Sequence, residues 1–411
     1  MRAALVWRKV RTAIPAMSLT DTQDFGRQLF ALPRTLNTKG DAVIPTSITK
    51  GVFVFSTACL IPILLTLAAM GKAQDKAANV ANAAITASAR NFTFKPIAYD
   101  GPPQQTSFGT HYDTIAELRG INDTGVILGI MRRYQEQMVP FVYESGKYTY
   151  LNGPLYQGQF TIGLAINNRG QVLIAQDPQN GRPVSYFLYD MVQKTFSPLG
   201  SLVHIAGAPD KTRVSITGLN DTGQFVGVYN SRGKQYGGYG TLPIGPAGST
   251  TPPVEPGSFA QLACPDGRDM NANSLNNHGQ VTGSCGPIFG PSSGFLYSDQ
   301  KVTLFKYPDA DLTMGKSIND AGGLVGLARI NPPGAGVSAT IGFAYDGSQF
   351  SPVTMCGDLN LARGFFSAAN SLNNKGIVVG TNCGSRSGDF GFMATFTGSN
   401  PLQLAVTGRT H

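Results

Sequence analysis

The sequence predicts an all-β protein, a β-propeller of six or seven four-stranded antiparallel blades preceded by an N-terminal hydrophobic helix. Three observations carry this expectation. A short Asn-Gly turn block recurs six times, an aromatic strand follows most copies, and an apolar run of eighteen residues precedes the repeats. The composition agrees: 50 Gly, 26 Pro, 38 Tyr plus Phe and only 14% charged residues suit many short strands joined by turns.

The chain opens with a basic leader, residues 1–50. Residues 1–73 carry nine Lys/Arg against three Asp/Glu, so six of the eight net positive charges lie there and only two remain downstream. A basic face for nucleic acid is therefore not expected on the repeat domain. Residues 51–73 read as a signal peptide or a membrane anchor helix. The apolar core, 52–69, is flanked by Lys50 and Lys72 and is long enough either to span a bilayer or to form a signal-peptide core. Pro62 favours the signal peptide, and Gly71 and Ala73 place small residues for cleavage after Ala73. Cys59 sits too early in the run for a lipoprotein site. Either reading exports the rest of the chain, secreted or periplasmic in one case and anchored to the inner membrane in the other. Residues 74–91 are an Ala-rich linker with a helical alternative.

Residues 92–411 form the repeat domain. The blocks are GINDTG (120–125), AINNRG (165–170), GLNDTG (218–223), SLNNHG (274–279), SINDAG (317–322) and SLNNKG (371–376). Their third residues, Asn122, Asn167, Asn220, Asn276, Asn319 and Asn373, are 45, 53, 56, 43 and 54 apart. Asn and Asp cap turns through their own side chains. The closing glycines, Gly125, Gly170, Gly223, Gly279, Gly322 and Gly376, supply the positive φ of a tight hairpin. An apolar residue always follows two positions later, and in five of the six a second Gly comes after it, as at Gly129 and Gly380. About twenty residues past the block Asn come the aromatic strands 141–146, 186–190, 294–299, 342–347 and 391–396. A fourth strand follows, seen in TFSPLG (195–200) and QFSPVT (349–354), whose Pro198 and Pro352 place it at a sheet edge. TFKPI (93–97) resembles these edge strands yet precedes the first block. It either closes the ring by joining the last blade or is the remnant of a seventh.

The fourth block position alternates strictly: Asp123, Asn168, Asp221, Asn277, Asp320, Asn374. Descent from a duplicated pair of repeats explains this, and so does attraction between neighbouring turns around one rim. Both fit a ring of six better than seven. Four cysteines flank two blocks, and the expected bridges are Cys264–Cys285 and Cys356–Cys383, each tying a lead-in loop to its own hairpin.

At these blocks the chain resembles the bacterial HAF-repeat family of extracellular repeat proteins, over about residues 115–400. The likeness lies in the block and is weaker in the aromatic strand, where Gly-Phe-Leu-Tyr (294–297) lacks the family's His. The resemblance implies export and a repeat fold, and it supplies no catalytic residues.

No catalytic, metal or cofactor site is expected. Each block offers at most one Asp, too few oxygens for calcium. Gly290 to Gly294 matches Gly-x-Ser-x-Gly, but a Gly/Pro loop precedes it and a strand follows, the reverse of a nucleophile elbow. His111, His204, His278 and His411 lack ligand spacing, and Asp309 and Asp311 read as a solvated loop. The long inserts 230–257 and 329–341 read as loops, and Tyr236 and Tyr239 as the aromatic side chains of a ligand loop. The function expected is a monomeric, exported, non-enzymatic binding or scaffold module for a macromolecule or glycan, touching the membrane only through its N-terminal helix. The alternative is an exported hydrolase or lyase with its site at the channel mouth.

Overall fold

The computed structural model describes residues 92–397 apart from 100, 102–103, 107–108, 112, 134–136, 155–159, 178–182, 206–211, 288–289, 332–337, 356–365 and 382–390. The leader, the apolar stretch 52–69, the linker 74–91, Cys356, Cys383 and His411 lie outside the described residues. Among the described residues, no helix is long and apolar enough to cross a membrane.

The strands form a six-bladed β-propeller. The innermost strands are Thr114–Ile121, Phe160–Ile166, Ser215–Leu219, Met270–Leu275, Ala310–Ile318 and Ala368–Leu372, in blades 1 to 6. Each turns at its Asn-Gly block into a second strand, and Val281–Cys285 and Val378–Thr381 are buried on both faces. That pattern follows from position: the two faces of a second strand pack against the blades on either side. Apolar clusters accordingly lie between blades rather than within them. Val126, Leu128, Val172 and Ile174 join blades 1 and 2, and Ile97, Leu118, Ile127 and Val379 join blades 6 and 1. The third strands bring Phe141, Phe295, Phe343 and Phe392, each fully buried. In register opposite them stand Gly129, Gly283, Gly326 and Gly380, which explains the recurring second glycine of the repeat. A Cβ at Gly129 would lie 2.4 Å from the Phe141 ring, so the ring takes the space a side chain would need.

Phe92–Ile97 pairs antiparallel with Gly391–Phe396 and is the outermost strand of blade 6. It closes the ring from the N-terminal side, and the blade number is six rather than seven. Phe92 lies 4.0 Å from Phe396, ring centre to ring centre. Pro198 and Pro352 sit on outermost strands, where no ladder partner needs their missing N–H. Blade 3 departs from the four-stranded plan. Leu202–His204 pairs parallel with Gly257–Leu262, the fourth strand, and carries Thr212–Arg213 beyond it, making six strands.

Candidate functional site: the central channel

Each block is built the same way. The Asn122 side chain accepts from the Val126 N–H through Oδ1 at 2.9 Å, fixing its own hairpin, and Gly125 closes the turn at φ 89°. The Nδ2 of each block Asn then donates to the backbone carbonyl of the next block Asn. The distances run 3.5 Å (Asn122 to Asn167), 3.2 Å (to Asn220), 3.1 Å (to Asn276), 2.9 Å (to Asn319), 3.2 Å (to Asn373) and 3.0 Å (back to Asn122). All six asparagines are buried. A closed ring of hydrogen bonds thus ties the six blades at one end of the channel.

A second closed ring lies one residue further on. The backbone N–H of each fourth block residue donates to the side-chain Oδ1 of its neighbour, from Asp123 to Asn168 at 2.7 Å and so on to Asn374 to Asp123 at 2.8 Å. The remaining atoms explain the alternation. Asn277 Nδ2 donates to Asp221 Oδ2 at 2.8 Å and Asp320 Oδ2 at 2.9 Å; Asn374 Nδ2 donates to Asp320 and Asp123, both at 2.9 Å; Asn168 Nδ2 donates to Asp221 at 2.9 Å. An amide has two hydrogens to give and a carboxylate oxygen has lone pairs to receive them, so the two types must alternate. Six aspartates would crowd like charges with no side-chain donors between them, and six asparagines would leave amide hydrogens facing amide hydrogens. Alternation around a closed ring also requires an even number of blades.

Three residues before each block Asn, the innermost strand carries a β-bulge. The bulged residues are Arg119, Leu164, Thr217, Asn273, Lys316 and Asn370. A bulge re-aims one side chain without ending the strand, and here all six line the channel. Three of them extend the inter-blade bonding: Thr217 Oγ1 donates to the Ala272 carbonyl at 2.7 Å, Asn273 Nδ2 to Gly315 at 2.8 Å and Asn370 Nδ2 to Leu118 at 2.9 Å.

The charged bulge residues meet Glu117. Arg119 Nε donates to Glu117 Oε2 at 2.8 Å, with both side chains largely shielded, at 26% and 16% exposure. Burial pushes the Glu117 carboxyl up, but the Arg119 and Lys316 cations outweigh it and hold it below its ordinary range. Burial lowers the Lys316 ammonium, an effect that Arg119 reinforces and Glu117 only partly offsets. Sequence reading missed this cluster. Its signal was charge inside an innermost strand, at Glu117, Arg119 and Lys316, where apolar residues were expected.

Other sequence-derived positions fall elsewhere. Cys264 and Cys285 are joined, with Cα atoms 5.8 Å apart, linking the exit of blade 3 to the second strand of blade 4. Tyr236 and Tyr239 are not on a loop. They lie on Lys234–Thr241, the third strand of blade 3, where Tyr236 stacks on Tyr229 at 5.3 Å and Tyr239 meets Tyr297 at 5.8 Å. The glycines that suggested a loop there serve close approach instead: a Cβ at Gly240 would lie 1.9 Å from the Ser258 carbonyl oxygen. Only residues 232–233 and 242–256 of that insert lie between named strands. Pro252, Pro253 and Val254 cover a groove against Tyr186, Leu199 and Arg213. Ser292 of the Gly-x-Ser-x-Gly stretch is buried, and its backbone bridges to blade 5 through the Asp311 carbonyl and the Thr313 N–H. Asp311 pairs with Arg329 at 2.8 Å, and His278 is exposed on its turn.

No family profile matches the sequence, and no curated protein does. Among solved structures, the fold is similar to a lectin of Aleuria aurantia in complex with α-methyl-L-fucoside, at 10% identity and a TM-score of 0.34, covering 62% of this chain and 84% of that one. The same lectin in complex with Fucα1-6GlcNAc gives 11% identity, a TM-score of 0.35 and coverage of 62% and 85%. TolB from Acinetobacter baumannii gives 11% identity and a TM-score of 0.34, covering 62% of this chain and 59% of that one. At this level no ligand is carried across from either.

Proposed function

We propose that this chain is a non-catalytic binding module that works outside the cytoplasm and takes its ligand in the central channel. The observation that carries the reading is the set of six bulges, which turn one side chain per blade into the channel at the level of Glu117. Bulges cost ladder regularity, and repeating them in every blade builds a shaped polar lining on a rigid ring. The Cys264–Cys285 bridge supports an oxidising compartment. A monomer acting on a glycan or other macromolecule fits this reading, with the N-terminal segment as its export signal or anchor.

A hydrolase or lyase would need an acid and a base of separated character facing one reacting bond. The rim carboxylates Asp221 and Asp320 each receive three hydrogen bonds from the frame, and Arg119 engages Glu117. These groups are committed to structure or held ionised, which supports binding over turnover. The test is glycan-array binding by the full chain and by a Leu164→Trp variant that fills the channel. Binding lost in the variant, with the bound glycan recovered intact, supports the reading. Binding unaffected by the blockage, or recovery of cleaved glycan, overturns it.

A further inference from the structure

The channel is polar, but its charges are unequal and its two ends differ. At the turn end, Asp and Asn side chains alternate around the axis with sides of 2.8–2.9 Å along five edges. A hexagon of that side has its corners about 2.9 Å from the centre, which leaves room for about one water molecule once atomic radii are taken off. The turn end therefore admits nothing larger than a water molecule.

At the bulge level, two cations face one carboxylate. Arg119 spends its Nε on Glu117. Among the described residues, Lys316 has no hydrogen bond and no ion pair within 4.0 Å, and its charge is felt at Glu117 only through space. The set is left with one unit of excess positive charge and with unspent donors on Lys316 and on the Arg119 terminal nitrogens. Beside them, Thr217, Asn273 and Asn370 give their hydrogens to carbonyls of the next blade, and Asn370 also to Thr381. The Oδ1 atoms of Asn273 and Asn370 receive no hydrogen bond among the described residues, and so present acceptors to the channel. None of these atoms is closed off from solvent, so a ligand that supplies matching groups takes the place of channel water on them.

We propose that the channel binds a hydroxylated monoanion, the hexuronate unit of an acidic glycan, with its carboxylate on Lys316 and Arg119 and its hydroxyls donating to Asn273 and Asn370. Arg presents a planar fork that matches a carboxylate, and Lys adds a compact point charge. One excess charge matches one carboxylate, and three carboxylates at the closed rim disfavour a dianion. This inference rests on the channel being the binding site.

The experiment titrates the full chain calorimetrically with D-galacturonate, D-galactose and inorganic phosphate at constant ionic strength. Galacturonate should bind, with galactose at least about tenfold weaker, as expected for loss of a charge-assisted contact. Lys316→Met and Arg119→Gln should each weaken galacturonate at least about tenfold, and by a larger factor than they weaken galactose. Leu164→Trp should abolish binding. Galactose binding as tightly as galacturonate and lost in Leu164→Trp overturns the charge assignment while keeping the channel as the site. Phosphate binding more tightly than galacturonate overturns the uronate assignment. Galacturonate binding that survives Leu164→Trp overturns both readings, and no galacturonate binding at about 10 mM overturns the proposal. A variant that has lost its cooperative melting is replaced by Lys316→Gln.

Discussion

Asn373 Nδ2 donates to the Asn122 carbonyl oxygen at 3.0 Å, although 251 residues separate them. This bond crosses the seam where the last blade meets the first, and it has the same form as the five bonds between consecutive blades. The polar ring does not register where the chain begins. It holds the seam as it holds every other blade junction, while Phe92–Ile97 holds the same seam from the outside of blade 6.

Asn373→Ala removes that donor and also the Oδ1 that receives the Ile377 N–H at 2.9 Å. The Ile377 N–H loses its partner while the Asn122 carbonyl keeps the Gly125 N–H, so urea denaturation should show a loss of about 1–3 kcal/mol. Asn276→Ala, one blade junction among the others, should cost a similar amount. A negligible effect at Asn373 alone would mean the seam is held by the outer strand and not by the ring.

Asn277→Asp places a third carboxylate between Asp221 and Asp320 and removes the two amide hydrogens that bridged them. Crowding raises the new carboxyl above its unfolded value, so the destabilisation is largest at neutral pH and shrinks as the group protonates on acidification. Melting curves from pH 7 to pH 4 should therefore converge on the parent protein. A pH-independent deficit would locate the damage in packing.

Glu117 works in the opposite sense. Its carboxyl is held below the ordinary range, so the stability it contributes is present above the unfolded value and is lost as pH falls through the folded one. Glu117→Gln should be less stable than the parent at pH 7, and the two should converge in acid. The Lys316 ammonium is held below its ordinary value, so its charged form weakens the fold at neutral pH. Lys316→Met should accordingly melt higher at pH 7. Lower melting would show that its attraction to Glu117 outweighs its burial.

The Cys264–Cys285 bridge closes a loop with a sequence separation of 21. Replacing both cysteines with serine should cost about 3 kcal/mol in the chain-entropy estimate, read as a lower denaturation midpoint. An unchanged midpoint would mean the reduced protein retains the same loop closure through packing alone.

Much of this architecture is legible in the chain because it rests on local chemistry. Asn-Gly turns, edge-strand prolines such as Pro198 and the resemblance of 93–97 to an outer strand require no knowledge of neighbours. The Asp/Asn alternation is visible as a pattern, but its cause is a hydrogen-bonding match across blades, which only closure reveals. The channel lining escapes sequence reading for a different reason. A bulge is set by the ladder register between two strands, and Arg119, Leu164, Thr217, Asn273, Lys316 and Asn370 are of five different residue types. The strand Lys234–Thr241 reads as a loop because three of its eight residues are glycines, whose role is to admit the backbone of Gly257–Leu262 and side chains of blade 4.

Alternation of acceptor and donor, not the identity of any one residue, closes the six-bladed ring. Exchanging Asp and Asn at all six positions (Asp123, Asn168, Asp221, Asn277, Asp320 and Asn374) restores alternation in the opposite phase. This sixfold variant should have a denaturation midpoint close to that of the parent, well above that of Asn277→Asp alone. A sixfold variant at least as unstable as the single one would contradict it, since the effects would then add residue by residue.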